Sequence, residues 1–402
     1  MTVTRTHSRH VPPDVTNVQV APWTSRAGAT PVPETPYLRL DVGVALRRYR
    51  ELATALPGTR VHYAVKANPH PALLAALRSA GAAFDVASPG ETRQTLSAGA
   101  IASELLYSNP VKRRSDIAAA AAMGVRLFAV DSPEEVAKVA EAAPGRSVFC
   151  RIVTSGLGAD WPLSRKYGCT PDEAVEALRL AARLGLEPAG VSFHVGSQQR
   201  DPAAWRAPIT AAAGIFESLR GSGLRPWLLD MGGGFPADHE GDAPSLADYG
   251  RAITGYLGES FGQDHSDWPA RAIEPGRGVV GDAGTLVASV VGVLRRGTTR
   301  WVYLDAGIFT GLVETLDEAI RYRIVTARDE GPTGPCVLAG PTCDSADVLY
   351  QRIPVQLPLD LREGDVVELR SAGAYTASYS TVGFNGFAPL RTILADIEPA
   401  GT

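Results

Sequence analysis

Residues 58–81 read Gly58-Thr-Arg-Val61-His-Tyr63-Ala-Val65-Lys66-Ala-Asn68-Pro-His-Pro71-Ala-Leu73-Leu74-Ala-Ala-Leu77-Arg-Ser-Ala-Gly81. The apolar run 61–65 has the length and β-branched content of a buried strand. Leu73, Leu74 and Leu77 then recur at helical spacing. Pro71 falls where a helix starts and its missing N–H costs nothing, and Gly81 falls where the helix ends. The same strand-then-helix unit repeats along the chain. Strands are expected at 60–65, 83–86, 105–107, 127–130, 148–152, 190–193, 227–230 and 270–273, with helical segments such as Val175, Leu178 and Ala182 between them. Pro133, Pro171 and Pro202 mark further helix starts, and Gly124 and Gly185 further ends. Alternating β and α units imply a parallel sheet. Eight of them in roughly 250 residues predict an α/β fold closed as a (β/α)8 TIM-type barrel. An open, doubly wound sheet is the alternative.

After about residue 278 the texture changes. Segments 285–294, 301–304, 321–327, 336–338 and 366–369 are short, rich in β-branched residues and separated by Gly/Pro turns, which predicts a C-terminal all-β domain. Residues 312–322 are the exception and read as a helix. The expected division is therefore 1–36, a tail and a strand joining the β-domain; 37–277, the barrel; and 278–402, the β-domain. A length of 402 residues fits two domains. A formal charge of −4 without a dense Lys/Arg block argues against a nucleic-acid partner. No apolar stretch reaches bilayer length, and residues 1–13 lack an apolar signal core, so a cytoplasmic protein is expected. Four scattered cysteines form no disulfide framework and, with seven histidines, no zinc-ligand spacing.

In such barrels chemistry collects on the loops after the strands. Lys66 follows the first strand, Asp85 ends the second and Arg151 lies in the fifth. His194-Val-Gly-Ser197-Gln follows the sixth, Gly232-Gly233-Gly234 the seventh, and Glu274-Pro-Gly276-Arg277 the eighth. Each has an ordinary explanation alone: a snorkelling lysine, a core histidine, a plain glycine turn, a solvated strand-end carboxylate. Their arrival at one rim favours a single site. Burial lowers a lysine's pKa and makes Lys66 a candidate nucleophile, for instance as a Schiff base to an aldehyde cofactor. Glycines let backbone N–H groups converge on a phosphate, and Arg277 suits bidentate binding of one. That combination suggests pyridoxal phosphate, with a sugar-phosphate aldolase as the other reading. A carboxylate against a pyridine nitrogen keeps it protonated, a role open to Glu274; His194 is placed to stack on the ring. Residues 155–167, with Gly156, Gly158, Arg165 and Lys166, are long for a barrel connection and read as a mobile lid.

Tyr-Ala-Val-Lys66-Ala-Asn, Phe-Asp85-Val-Ala-Ser, His194-Val-Gly-Ser-Gln, Gly-Gly-Gly234-Phe-Pro, Glu274-Pro-Gly-Arg, Gly-Pro-Thr-Cys343-Asp344 and Gly-Ala-Tyr375 occur in this order. Together they resemble the ornithine, arginine and diaminopimelate decarboxylase family, from about Tyr37 to Leu390. The resemblance implies an alanine-racemase-like barrel that binds pyridoxal 5'-phosphate, plus a C-terminal β-domain. By the same resemblance Lys66 carries the cofactor, Glu274 pairs with its ring nitrogen and His194 stacks on it. Asp85 and Arg151 shape the pocket, while Ser197, Gly233, Gly234, Gly276, Arg277 and Tyr375 hold the phosphate. It further implies a homodimer whose sites are shared, with Cys343 and Asp344 supplied across the interface, Cys343 as proton donor and Phe384 as a pocket wall.

Cys343-Asp344-Ser-Ala is nearer the ornithine and lysine type than the Cys-Glu-Ser-Gly of diaminopimelate enzymes. Ornithine is therefore the first expectation and lysine the second, with a related amino acid on a larger scaffold the outside choice. Leu316-Asp317-Glu318 is one residue shorter than the matching Leu-Tyr-Asp run, so Asp317 or Glu318 is the candidate second contact to the substrate's distal amine. Two rivals share the scaffold. A racemase would carry an arginine where Glu274 stands, and a cofactor-free binding protein would have lost Lys66, Arg277 or Tyr375.

Overall fold

The computed structural model describes residues 33–163 and 166–395. The expected N-terminal tail up to residue 32, and Arg165 of the expected lid, lie outside the described residues. The strand β1 (Tyr37–Leu40) and helix α1 (Val42–Ala55) precede the alternating run. It comprises β2 (Thr59–Ala64), α2 (Pro71–Ser79), β3 (Ala83–Val86), α3 (Pro89–Ser97), β4 (Leu106–Tyr107), α4 (Arg114–Ala122), β5 (Leu127–Val130) and α5 (Pro133–Ala142). It continues with β6 (Ser147–Arg151), β7 (Ala159–Trp161), α6 (Pro171–Arg183), β8 (Glu187–Ser192), β9 (Ser197–Gln199), α7 (Arg206–Gly221), β10 (Leu228–Asp230), α8 (Leu246–Phe261), β11 (Ala270–Ile273) and α9 (Arg277–Val280). Eight strands pair in parallel and close on themselves in the order β2-β3-β4-β5-β6-β8-β10-β11. The closed barrel stands, and the open sheet does not.

Local chemistry explains the boundaries. Ser88, Ser132, Thr170 and Ser245 accept the third backbone N–H of α3, α5, α6 and α8, each cap stabilising by about 1 kcal/mol. Pro71, Pro89, Pro133 and Pro171 open their helices.

Side chains along a barrel strand alternate between the helix layer and the axis. Val61, Tyr63, Phe84, Val86, Phe128, Val130 and Cys150 join the core beneath the helices. Leu106, Leu127, Ala129, Phe149, Ala189, Leu228 and Ala272 form a separate apolar plug. Counting upward by twos from that plug, Phe149 leads to Arg151, Leu228 to Asp230 and Ala272 to Glu274. The alternation that fills the bottom of the barrel with hydrocarbon thus aims ionisable groups into its top.

The second domain adds β12 (Gly284–Arg296), β13 (Thr299–Leu304), β14 (Ile324–Thr326), β15 (Thr333–Ala339), β16 (Val348–Pro358), β17 (Val366–Leu369) and β18 (Arg391–Leu394). Its sheet runs β14-β17-β12-β13-β15-β16, and β1 joins it between β12, antiparallel, and β18, parallel. The strand that joins the β-domain is therefore Tyr37–Leu40, inside the segment read as barrel.

Two other expectations change. Residues 312–322 are not a helix: short 3-10 turns at Val313–Glu318 are broken by Leu316 and Asp317, with positive φ at Asp317 and Glu318. The break lets neighbouring carboxylates face opposite ways. Glu314 turns inward to Arg277, and Glu318 accepts the backbone N–H groups of Gln351, Arg352 and Ile353. The connection after β6 also carries a strand that the loop reading does not include. β7 pairs antiparallel with β9, Ala159 opposite Gln199 and Trp161 opposite Ser197, and Arg200 grips Asp160 at 2.7–3.1 Å.

Candidate active site

Lys66 sits in a 3-10 turn, Val65–Ala67, that ends β2. Its Nζ lies 2.5 Å from Oδ2 of Asp85, a carboxylate only 1% exposed. Burial opposes the ammonium, but Asp85, Tyr375 and Glu274 together outweigh it, and the pKa rises above the ordinary lysine value. This reverses the expectation that burial lowers it. In this state Lys66 is a held cation, and it becomes a nucleophile only when its proton leaves; Asp85 stands beside that proton.

Glu274, just past β11, meets two groups the motifs did not disclose. Ser108, after β4, donates to Oε1 of Glu274, and Asp230, ending β10, acts on its carboxyl group through charge. Burial first, then Asp230 and Asp85, drive the Glu274 pKa well upward; burial lifts Asp230 to about 7. Both acids therefore favour their protonated forms more than free carboxyls do. Arg151, with its guanidinium 5.6 Å from the Tyr167 ring centre, opposes the rise at Asp230, and Lys66 opposes it at Glu274. His194 receives the Gly196 N–H on Nδ1 at 3.1 Å, which leaves the proton on Nε2. Burial and the charges of Arg151 and Lys66 hold its pKa well below the usual range, so it is a neutral, planar ring.

Arg277 opens α9 and is almost fully buried. Its Nε donates to Oγ of Ser197 at 3.2 Å, its Nη2 reaches both oxygens of Glu314 at 2.6 Å, and its guanidinium lies 5.2 Å from the Tyr375 ring centre. Tyr375 comes from the β-domain, held at φ 56° by its N–H bond to the Ala67 carbonyl. A Cβ on Gly276 would stand 2.8 Å from Ala67 Cβ and 2.9 Å from the Tyr375 hydroxyl. Gly234, at φ 116°, would put one 2.7 Å from the Gly196 carbonyl. Gly233 faces Nε2 of His194 and the Glu274 carbonyl. These bare backbones, with Asp85 Oδ1, Asp230 Oδ2 and Arg277 Nη1 buried and unpartnered within the chain, fit a phosphorylated aromatic cofactor.

Tyr375 joins this cluster from the β-domain, whereas Cys343, Asp344, Asp317, Glu318 and Phe384 do not, among the described residues. Cys343 is exposed, and its N–H and Sγ both reach Oδ1 of Asn385, at 3.1 and 3.4 Å. Asp344 caps its own turn through the Ala346 N–H. Phe384 packs on Phe309 with ring centres 4.6 Å apart. Asp317 is 94% exposed and pairs with Arg352, and Glu318 is occupied by β16. Ser108, Asp230 and Glu314 are the site groups that sequence reasoning missed. For Asp230 the signal was present: an acid at an inward strand end, on the strand beside the one that leads to Glu274.

Residues 43–281 match the family model described as "Pyridoxal-dependent decarboxylase, pyridoxal binding domain". A lysine/ornithine decarboxylase from Selenomonas ruminantium is 36% identical over 366 residues, 91% of each chain. The chloroplastic ornithine decarboxylase of Nicotiana glauca is 33% identical over 88% of this chain and 82% of its own. A crystal structure of the lysine/ornithine decarboxylase of Vibrio vulnificus complexed with cadaverine superposes with a TM-score of 0.80, at 34% identity, over 90% of this chain and 95% of that one. The dual lysine/ornithine relative is more similar than the ornithine one, against the expectation of nearest kinship to ornithine enzymes.

Proposed function

The chain belongs to the pyridoxal-phosphate-dependent decarboxylases of basic amino acids, and on that premise we propose that it converts L-lysine to cadaverine, with L-ornithine as its second substrate. The enzyme is a carboxy-lyase and its cofactor is pyridoxal 5'-phosphate. The observation that carries the reading is the convergence of Lys66, Asp85, His194 and Glu274 beside a glycine-lined cradle closed by Arg277 and Tyr375. The preference for lysine rests on the greater similarity to dual lysine/ornithine enzymes.

When bound, pyridoxal phosphate supplies the electron sink that receives the Cα–carboxylate bonding pair as carbon dioxide leaves. The chain's residues do the rest. Lys66 would anchor the aldehyde once its ammonium has lost its proton, with Asp85 beside it. Glu274 would hold the ring-nitrogen proton and stand as its counter-charge, supported by Ser108 and Asp230. His194, neutral and fixed in one tautomer, presents a flat face without adding charge. Ser197, Gly233, Gly234, Gly276, Arg277 and Tyr375 hold the phosphate.

The working unit is a homodimer in which Cys343 and Asp344 of one protomer serve the site of the other. Their exposure, and the lack of a contact from either to Lys66 or Glu274 among the described residues, support this arrangement. Cys343 returns a proton to Cα, and Asp344, with Asp317, receives the distal ammonium against the wall made by Phe384.

Reconstituted enzyme offered lysine, ornithine and arginine separately, with carbon dioxide and diamine measured, tests the reading. Cadaverine formed with kcat/KM at or above that for putrescine is expected. Putrescine alone replaces lysine by ornithine; no carbon dioxide from any of the three removes the function.

A further inference from the structure

Arg277–Glu314 is one of two ion pairs among the described residues with both side chains 5% exposed or less. Its geometry is lopsided. Both carboxylate oxygens sit 2.6 Å from Nη2, Nε goes to Ser197, and Nη1 has no partner among the described residues. The guanidinium's charge is therefore balanced from within before any phosphate arrives. An arginine that serves only an incoming anion would leave its charge uncompensated for that anion. Here a phosphate meets a pair of net zero charge and feels the repulsion of a fixed carboxylate in a medium that screens poorly. The carboxylate is not a passing contact. Glu314 lies in the first turn of Val313–Glu318, whose main chain is closed by the Ile320 N–H on the Glu314 carbonyl at 3.0 Å. The Thr315 hydroxyl bonds the Leu312 carbonyl in the same turn.

We propose that Glu314 is a positioning residue and built-in counter-ion: it holds Arg277 in place in the cofactor-free chain and, by balancing its charge, limits how tightly the cradle grips a phosphate. The inference rests on the cofactor reading above. Pyridoxal phosphate is then held more by the Lys66 linkage and the ring contacts than by its phosphate, which makes it exchangeable.

Wild-type protein and Glu314→Gln, both stripped of cofactor, are titrated with inorganic phosphate, pyridoxal and pyridoxal phosphate. The variant is expected to bind inorganic phosphate and pyridoxal phosphate about tenfold more tightly or better. Its affinity for pyridoxal, which lacks the phosphate, should be unchanged, and its cofactor-free melting temperature lower. A merely structural Glu314 would weaken phosphate and pyridoxal together, and that result overturns the proposal. Glu314→Met, an apolar chain of similar length, gives the same comparison should the glutamine variant not fold. Independently of any variant, wild-type protein is expected to bind inorganic phosphate only in the millimolar range, and a micromolar Kd overturns the counter-ion. A wild-type imine absorbance together with an unchanged phosphate Kd in Glu314→Gln would remove this inference and leave the decarboxylase standing. No imine absorbance in wild type would strike the cofactor reading, with the phosphate titrations still deciding the role of Glu314.

Discussion

The barrel rim and the edge of the β-domain hold their polar residues in opposite ways. At the rim, Lys66 meets Asp85, Ser108 meets Glu274, and Arg277 meets Ser197 and Glu314, each pair joining different elements, and several of these groups keep unpartnered buried atoms. At the β-domain edge, Cys343 and Asp344 satisfy themselves with neighbours and look outward. A region with unmet buried valences is organised for something it will bind. A region that is locally satisfied but exposed, with Tyr379, Val382, Phe384 and Phe387 open beside it, is organised to meet another surface. In the proposed arrangement the cofactor-holding residues come from one chain and the substrate-holding residues from two.

The harshest break is Lys66→Ala. Activity should fall by about 10⁴-fold or more, and the borohydride-sensitive visible absorbance should vanish; retained absorbance would move the anchor elsewhere. Glu274→Gln should cost about 10²–10³ in kcat, since a fixed charge opposite the ring is lost. A loss confined to KM would contradict the assigned role.

The shared-site arrangement is sharpened by mixing. Lys66→Ala and Cys343→Ala are each nearly inactive alone. Unfolding and refolding them together should restore roughly one quarter of wild-type activity, because half of the dimers are mixed and each has one intact site. No recovery would place both residues in the same chain's site. Within the β-domain edge, Asp317→Ala should raise KM for lysine about tenfold with melting unchanged. Glu318→Ala should instead cost about 1 kcal/mol of stability, because it loses charge-assisted hydrogen bonds to donors of β16 that water can reach. The reverse pattern would exchange their roles.

The smallest effect is on acid stability. Burial above all holds His62 at about 4 and His239 at about 3, neutral in the fold. Unfolded, each binds a proton near pH 6.5, so the unfolded chain carries more protons as pH falls below that value. Stability is full above pH 6.5 and drains toward the folded values, about 2 kcal/mol per histidine by pH 5. Thermal melts at pH 7.5 and 5, in wild type and in variants lacking one or the other imidazole, check the sign.

Much of the barrel was legible because its strand–helix units are local. The runs 83–86, 127–130 and 270–273 coincide with β3, β5 and β11. The β-domain was harder. β16 went unread because Gln351, Arg352 and Pro354 break the apolar pattern; it is an edge strand, where a missing donor and polar outward faces are tolerated. Residues 312–322 carry helical propensity, but the pull of Arg277 on Glu314 and of β16 on Glu318 overrides it. Ser108 had no sequence signal at all, since only barrel closure brings β4's end to Glu274. The pKa of Lys66 could not be signed beforehand, because burial and Asp85 act against each other and only the distance decides.

Strand β1 lies between β12 and β18, so residues 37–40 are hydrogen-bonded to residues 391–394. During synthesis this strand emerges early and waits for partners that come about 250 and 350 residues later. At 5–20 residues per second the second wait is roughly 20–70 s. The N-terminal edge therefore stays unpaired throughout translation of the barrel, and the nascent chain on the ribosome is where this protein is most open to wrong pairings.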